Sequence, residues 1–156
     1  MLIQIFEFVN LLCAGLLAGE EFVIRFGVRG TLASLDPETG IRLRQALILK
    51  LRVLVPAIFG TAFLSGIAVT VLGGLGSGFD FRCAGLLSLV TFISITLAGT
   101  VPINKAVLTW NPAAPPEEWQ AMIRRWEQLD TLRTWAAIAA FAFFLTAFFQ
   151  APSALR

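Results

Sequence analysis

The chain has 156 residues, of which 57% are apolar and 14% are charged, with a formal net charge of +2 and a mean hydropathy of +0.80. Soluble domains carry about 25% charged residues, so this chain has too few charges to cover a surface that faces water. The small positive balance gives no reason to expect a nucleic-acid partner. The composition therefore predicts an integral membrane protein with membrane lipids around it.

The residues that most often hold metals are scarce. The chain has no histidine and only two cysteines, Cys13 and Cys83, which both lie in apolar segments. These counts exclude His-ligated zinc, His-ligated haem and catalytic triads with a histidine base. Two thiols are too few for a cysteine-ligated metal centre. We therefore expect no metal site and no cofactor.

Four segments are predicted to cross the membrane as helices, because each contains a largely apolar run of about 20 residues. We expect these helices near residues 2–24, 46–73, 82–104 and 133–151. The first segment lacks the positive n-region of a signal peptide, since no cation precedes Arg25, so we expect it to be retained. The predicted fold is an all-α, four-helix antiparallel bundle that forms one transmembrane domain over residues 1–156.

Both long connections of the bundle are expected to contribute helix. Asp36 suits an N-cap and Pro37 a first helical position, so a helix is predicted from there into the second span. The proline-rich segment 110–116 interrupts the second connection. After it, apolar residues recur at helical spacing, at Trp119, Met122, Ile123 and Trp126. This pattern predicts an amphipathic helix that continues into the fourth span.

The positions of the cationic residues predict the orientation. Ten of the twelve lie in residues 25–52 and 105–133, which four spans place on the same side of the membrane. The positive-inside rule puts these two loops in the cytoplasm. We therefore expect a multi-pass protein of a bacterial inner membrane, with both the N-terminus and the C-terminus outside, in the periplasm.

Polar side chains concentrate where the predicted helices meet the cytoplasmic loops. Charges near the hydrocarbon boundary are costly unless paired or solvated, which makes them candidates for function. The candidates are Glu21, Arg25, Asn104, Arg125, Asp130 and Arg133. The alternative is that such residues reach lipid headgroups and only fix the topology. We favour that interpretation for Arg29, Arg42, Lys50, Lys105 and Arg124.

Specific contacts are expected among the candidates. Glu21 and Arg25 are four residues apart and are predicted to pair along one helix face. We expect Glu21 to turn toward the fourth span and Glu20 to lie at the membrane interface, because neighbouring residues point about 100° apart on a helix. Asn104, Asp130 and Arg133 are predicted to lie within direct or water-mediated hydrogen-bond reach. They would form the floor of a small cavity.

Two segments of the chain resemble a known family. Val101-Pro102-Ile103-Asn104, and then Arg125-Trp126 followed by Leu132-Arg133-Thr134, resemble motifs of the anthrone-oxygenase-like family of small four-helix membrane proteins. That family carries Val-Pro-Leu-Asn at the end of its third helix and Arg-Trp-x-x-Trp-Asn-His-x-Arg-Thr before its fourth. Here Asp130 and Thr131 stand where the family usually has Asn and His. A proton acceptor at this place in the chain would therefore be a carboxylate.

The resemblance implies oxidative chemistry, since fungal members are linked to the oxidation of polycyclic anthrones without an obvious cofactor. We expect a pocket at the cytoplasmic helix ends that binds a flat, hydrophobic aromatic or quinone-like molecule. The candidate catalytic residues are Asp130 and Arg133, and the candidate ligand-binding residues are Glu21, Arg25, Asn104, Arg125 and Trp126. Either Asp130 or Glu21 would be the base.

A second class of function has a different basis. The fourth span is rich in phenylalanine over residues 141–149. If this surface faced another protein, the chain would be a non-catalytic accessory subunit of a larger membrane complex, or part of a homo-oligomer. The tryptophans have a similar alternative, because Trp110, Trp119, Trp126 and Trp135 could form an interfacial aromatic belt instead of stacking on a ligand.

Overall fold

The computed structural model describes residues 1–150, which form four long helices and no strand. The helices are α1 (Leu2–Ala33), α2 (Pro37–Gly73), α3 (Phe79–Thr109) and α4 (Trp119–Gln150). Each is long and apolar enough to cross a membrane, which confirms the predicted all-α membrane bundle. Residue 151, the predicted end of the fourth helix, lies outside the described residues.

The helices extend beyond the apolar runs at the ends where the long connections lie. α2 begins at Pro37 and α4 at Trp119, as the capping pattern and the amphipathic pattern predict, so both helices start before the predicted membrane spans, which begin near residues 46 and 133. An apolar run marks only the part of a helix that faces lipid. The helix itself can continue beyond the run, where its polar residues face water. The amphipathic stretch is confirmed as the first turns of α4, since its apolar residues are half-buried and Arg124 and Arg125 are exposed.

The start of α2 follows the predicted capping pattern. The backbone N–H of Thr39 donates to Asp36 Oδ1 at 3.0 Å, and Pro37 occupies the first turn. This bond favours the carboxylate form and therefore holds the pKa of the exposed Asp36 carboxyl below its usual value. The cap fixes where α2 begins.

Two of the helices contain a five-residue π-helical segment, Ile24–Val28 in α1 and Thr96–Thr100 in α3. In α3 the segment ends two residues before Pro102, which has no N–H and crowds the carbonyl of Ala98 four residues earlier, so the helix widens there. Both segments lie toward the same end of the bundle, where residues 34–36 and 110–118 connect the helices. We call this the charged end. The opposite end, with the N-terminus and residues 74–78, is the terminal end.

The core lies between the two ends. α4 packs against α3 and α1, and α1 also packs against α2. Small residues allow the helices to approach closely, because a Cβ atom on Gly66 or Gly85 would lie 2.9 Å from the Phe144 ring. The core residues are Ala14, Leu17, Ala18, Ala62, Leu89, Phe92, Ala137, Ala140 and Phe144. They form an apolar layer that separates the charged end from the terminal end.

The phenylalanines of α4 divide between this core and the surface. Phe144 is buried with its ring against Gly66 of α2 and Gly85 of α3, and Phe141 packs against the same core. Phe149 is exposed. The aromatic segment therefore serves in part to pack this chain against itself. Phe144 is buried within this chain, and the expectation that the segment faces another protein stays a prediction for its exposed residues.

Candidate functional site

A cavity of about 370 Å³ opens between all four helices at the charged end. α1 contributes a row at four-residue spacing, formed by Glu20, Ile24, Val28 and Leu32. α2 contributes a largely apolar face that includes Ile48, Leu51 and Val55. Both π-helical segments supply lining residues, which is a frequent place for such segments. The volume lies within the range of ligand pockets, roughly 300–1,000 Å³.

A buried ion pair forms one side of the cavity. Glu21 is 1% exposed, and its Oε1 is paired with Nη2 of the buried Arg133. Nη1 of Arg133 donates to Thr100 Oγ1 at 3.1 Å, and the guanidinium carbon lies 4.9 Å from the centre of the Phe92 ring. Glu21 therefore turns toward the fourth helix, as predicted. Through its contacts with Glu21 and Thr100, the Arg133 guanidinium links α4 to α1 and α3.

The predicted pairing of Glu21 with Arg25 is wrong. Arg25 lies in the π-helical segment of α1 and donates to Thr131 Oγ1 of α4 instead. Arg25 does not line the cavity. Its side chain fastens α1 to α4 beside the cavity.

Three lining carboxylates, those of Glu20, Glu21 and Asp130, have a buried oxygen with no hydrogen-bond partner in residues 1–150. Asp130 is the one of these on α4. It is 1% exposed and lines the cavity, yet its Oδ2 accepts no hydrogen bond from residues 1–150. Nη1 of Arg29 lies 4.0 Å away, and Nη2 of Arg29 lies 3.2 Å from Glu127 Oε2. The Asp130 carboxylate is thus near the Arg29 cation, but its Oδ2 accepts no hydrogen bond from it. It can accept a hydrogen bond or a proton from a molecule in the cavity.

Glu20 departs from its predicted position at the membrane interface. It lines the same cavity as Glu21, and its Oε2 is buried without a hydrogen-bond partner. Glu20 belongs to the row that continues through Ile24 and Val28, so it faces the cavity, while Glu21 faces the adjoining direction toward Arg133. The cavity is wide enough for both residues to line it, although neighbouring side chains on a helix point about 100° apart.

Two other candidates differ from their predicted roles. Asn104 lines the same cavity as Asp130 and Arg133 but makes no direct hydrogen bond to either in residues 1–150, so the water-mediated form of the predicted contact stays a prediction. Thr100, one turn earlier, takes the bond from Arg133. Arg125 is exposed and does not line the cavity, because Trp126 faces inward and the preceding residue points about 100° away.

Of the four tryptophans, the cavity lining includes Trp126 alone. Its ring centre lies 5.2 Å from the guanidinium carbon of Arg44, a cation–π distance. Its Nε1 is buried and donates to no acceptor in residues 1–150. Trp110, Trp119 and Trp135 lie away from the cavity, which is consistent with the belt interpretation for those three.

Sequence reasoning missed several lining residues, among them Arg29, Arg44 and Thr100. Arg29 lies eight residues after Glu21, at two four-residue steps, and this spacing could have placed it on the same helix face. Arg44 begins a row of lining residues at spacings of three and four. The row runs through Leu47, Ile48, Leu51, Arg52, Val55 and Pro56. The sequence signal for Arg44 was its helical spacing from the apolar residues of this row, which predicts that it shares their face of α2.

The lining contains three carboxylates and five cationic side chains. Among residues 1–150, no three Cys, Asp or Glu side chains are grouped closely enough to hold a metal ion. The arrangement offers a free carboxylate acceptor at Asp130, positive charge at Arg133 and Arg29, and an apolar wall on α2. These groups can bind a flat apolar molecule and exchange a proton with it.

Comparison with models of known protein families identifies the family of this chain. The family model described as anthrone oxygenase matches residues 46–143, from α2 into α4. This range contains Thr100, Asn104, Trp126, Asp130 and Arg133, whereas Glu20, Glu21 and Arg29 of α1 lie before it. A search of curated proteins and a search of solved structures each gave no match. The family match covers more than half of the chain, which therefore belongs to the anthrone oxygenase family.

Proposed function

We propose that the cavity at the charged end binds a flat, largely apolar aromatic molecule and that Asp130 is the base in its oxidation by dioxygen. The observation that carries this proposal is the buried Asp130 carboxylate, whose Oδ2 has no hydrogen-bond partner and which lines a cavity of about 370 Å³. The family name supports an anthrone, a three-ring aromatic ketone, as the model substrate.

The reaction balances without a redox group on the protein. Asp130 removes a proton from the methylene carbon of the anthrone, which leaves an anion delocalised onto the ketone oxygen. Dioxygen takes electrons from this anion and forms a bond to the same carbon, and Asp130 returns the proton to give a hydroperoxide. Loss of water from the hydroperoxide yields the quinone. Dioxygen is the oxidant, and the ketone substrate is the reductant.

The remaining residues support this step by charge and shape. The buried Arg133 guanidinium places positive charge at the cavity, where an oxyanion would develop. Because Glu21 and Thr100 hold that guanidinium, its position is set before a ligand binds. The rings of a flat ligand would lie against Ile48 and Leu51 on the wall of α2.

Oxygen uptake with anthrone tests the chemistry. We expect the protein purified in detergent to consume oxygen and to form anthraquinone, followed by its absorbance. Asp130→Asn keeps the shape but loses the basic oxygen, so its rate should fall by about 10²–10⁴-fold. Asp80→Asn is the matched control, because Asp80 is an exposed aspartate at the opposite end of α3. Equal rates for wild type and Asp130→Asn would contradict the role of Asp130.

A site near the cytoplasm follows from the orientation, which we also propose. Ten of the twelve cations lie in the two stretches that meet at the charged end, and the positive-inside rule puts that end in the cytoplasm. A variant without Cys13 and Cys83 allows single cysteines to be labelled from outside the cell. Ser77→Cys should label and Ser34→Cys should not, since these exposed serines lie at opposite ends. The reverse pattern would invert the topology.

A further inference from the structure

The five cations that line the cavity fall into two groups. Arg29 and Arg133 form ion pairs with acidic side chains of α1 and α4. The other three lining cations are Arg44, Arg52 and Lys105. None of these three makes a hydrogen bond or has a carboxylate within 4.0 Å in the described part of the chain. The cavity therefore contains positive charge that its own residues do not neutralise at close range.

Arg44 is the best placed of the three to bind a ligand inside the cavity. It is half-buried, and its guanidinium carbon lies 5.2 Å from the Trp126 ring centre. Arg52 and Lys105 also line the cavity but are exposed. A guanidinium presents several N–H donors in a planar fork that matches a carboxylate. The ring contact with Trp126 orients this fork without using those donors.

We infer that the ligand is an anionic aromatic molecule, a flat acid whose carboxylate or phenolate is bound by Arg44. Its rings would extend along Ile48 and Leu51 toward Asp130. This inference rests on the proposed function, because it assigns the substrate class of the same cavity. An anion would offset the surplus of cations over carboxylates, whereas a neutral quinone would leave it uncompensated near the apolar layer.

An anionic phospholipid could supply the same chemistry, since its phosphate and acyl chains also combine negative charge with an apolar body. Exposed cations such as Arg52 and Lys105 suit a headgroup at the membrane surface. Arg44 differs because it is half-buried against an aromatic ring at the cavity wall. The position of Arg44 therefore favours an aromatic acid over a lipid headgroup, and competition by an anionic lipid would overturn this assignment.

The test compares two probes of the same shape, anthraquinone carboxylate and neutral methylanthraquinone. Each is titrated against the protein in phosphatidylcholine nanodiscs, with tryptophan fluorescence as the readout. We expect the carboxylate to bind about tenfold more tightly or better, the gain of one charge-assisted hydrogen bond. Arg44→Gln should remove this preference. Arg42→Gln should keep it, because Arg42 is exposed, pairs with Glu38 and does not line the cavity.

The outcomes separate the two proposals. Equal binding of both probes to the wild type would overturn the anion preference and leave the proposed function intact, even if Arg44→Gln failed to fold. Binding of neither probe would overturn the proposed function. The titration is then repeated in nanodiscs of equal parts phosphatidylglycerol and phosphatidylcholine. If phosphatidylglycerol abolished binding of the carboxylate, the anionic occupant would be a lipid headgroup, and the assignment of an aromatic acid would be wrong.

Discussion

The charged end and the terminal end both bury a charged side chain in the bundle, but they use it differently. At the terminal end, Arg82 is 3% exposed and its guanidinium donates to the backbone carbonyls of Gly74 and Ser77, at 2.7 and 3.5 Å. The space beside it holds about 10 Å³, room for a single water molecule. At the charged end, the side chains of Arg133, Glu21 and Asp130 surround about 370 Å³.

A structural charge and a candidate functional charge differ in what surrounds their polar atoms. Arg82 fastens the turn between α2 and α3, where a Cβ atom on Gly73 would lie 2.8 Å from Nη1 of Arg82. Nearby, Asn10 Nδ2 donates to the carbonyl of Ala62 at 2.9 Å. These polar groups bind backbone in a tightly packed region. The charged end instead leaves acceptors free beside an open volume, which is the property that a ligand site needs.

The largest expected effect comes from breaking the ion pair at the charged end. Arg133→Gln leaves Glu21 as a buried charge without its partner, so we expect a loss of about 3–5 kcal/mol in the free energy of unfolding. Thermal unfolding in detergent measures it. The double variant Glu21→Gln/Arg133→Gln should recover part of the loss, because no unpaired charge remains. Arg124→Gln is the control, an exposed cation on the same helix. An unchanged melting temperature in Arg133→Gln would show that the pair is solvated.

A smaller effect is expected at the terminal end. Arg82→Gln removes the charged donor to Gly74 and should cost about 1.5–3 kcal/mol in the same unfolding measurement. Binding of an aromatic probe should not change, because the apolar core lies between Arg82 and the cavity. Loss of probe binding in a variant that remains folded would show that the two ends are coupled, and the comparison would then fail.

The smallest effect concerns the cap of α2, which borders the charged end. Asp36→Ala should lower the melting temperature slightly, because the Thr39 N–H loses its acceptor. The pKa of the Asp36 carboxyl is lowered in the folded protein, so the stabilisation is present above its unfolded pKa and is lost as the pH falls through the folded value. The melting difference between wild type and variant should therefore shrink in acid. A difference that grew on acidification would have the wrong sign.

The architecture was predictable because uncharged runs of about 20 residues have few alternatives to a membrane helix. The cap at Asp36 and the inward stripe that ends at Trp126 were also predictable, since both depend on local spacing. The ends of the helices were not predictable from hydropathy, because α4 continues through a charged stretch with one face in water. Local periodicity could not foresee the widening of α1 at Ile24–Val28.

The site was predicted in part. Glu21, Asp130 and Arg133 were predicted to lie together because charges beside an apolar layer need partners, and all three line the cavity, while their roles in binding and catalysis stay predictions. The partner of Glu21 was misassigned, because a long-range contact between α1 and α4 replaced a local one. Arg44 was not included among the site residues, since an interfacial cation that reaches lipid and one that faces a cavity have the same sequence pattern. Only the packing of α2 against its neighbours distinguishes them.

The location of fluorescence quenching shows whether the charged end holds a ligand site. Two variants each keep one tryptophan on α4, either Trp126 at the cavity or the exposed Trp135, with the other three replaced by phenylalanine. Titration with anthraquinone carboxylate should quench Trp126 saturably at concentrations that leave Trp135 unchanged. Equal, unsaturable quenching of both residues would show that the probe only partitions into the surrounding lipid and that the charged end holds no ligand site.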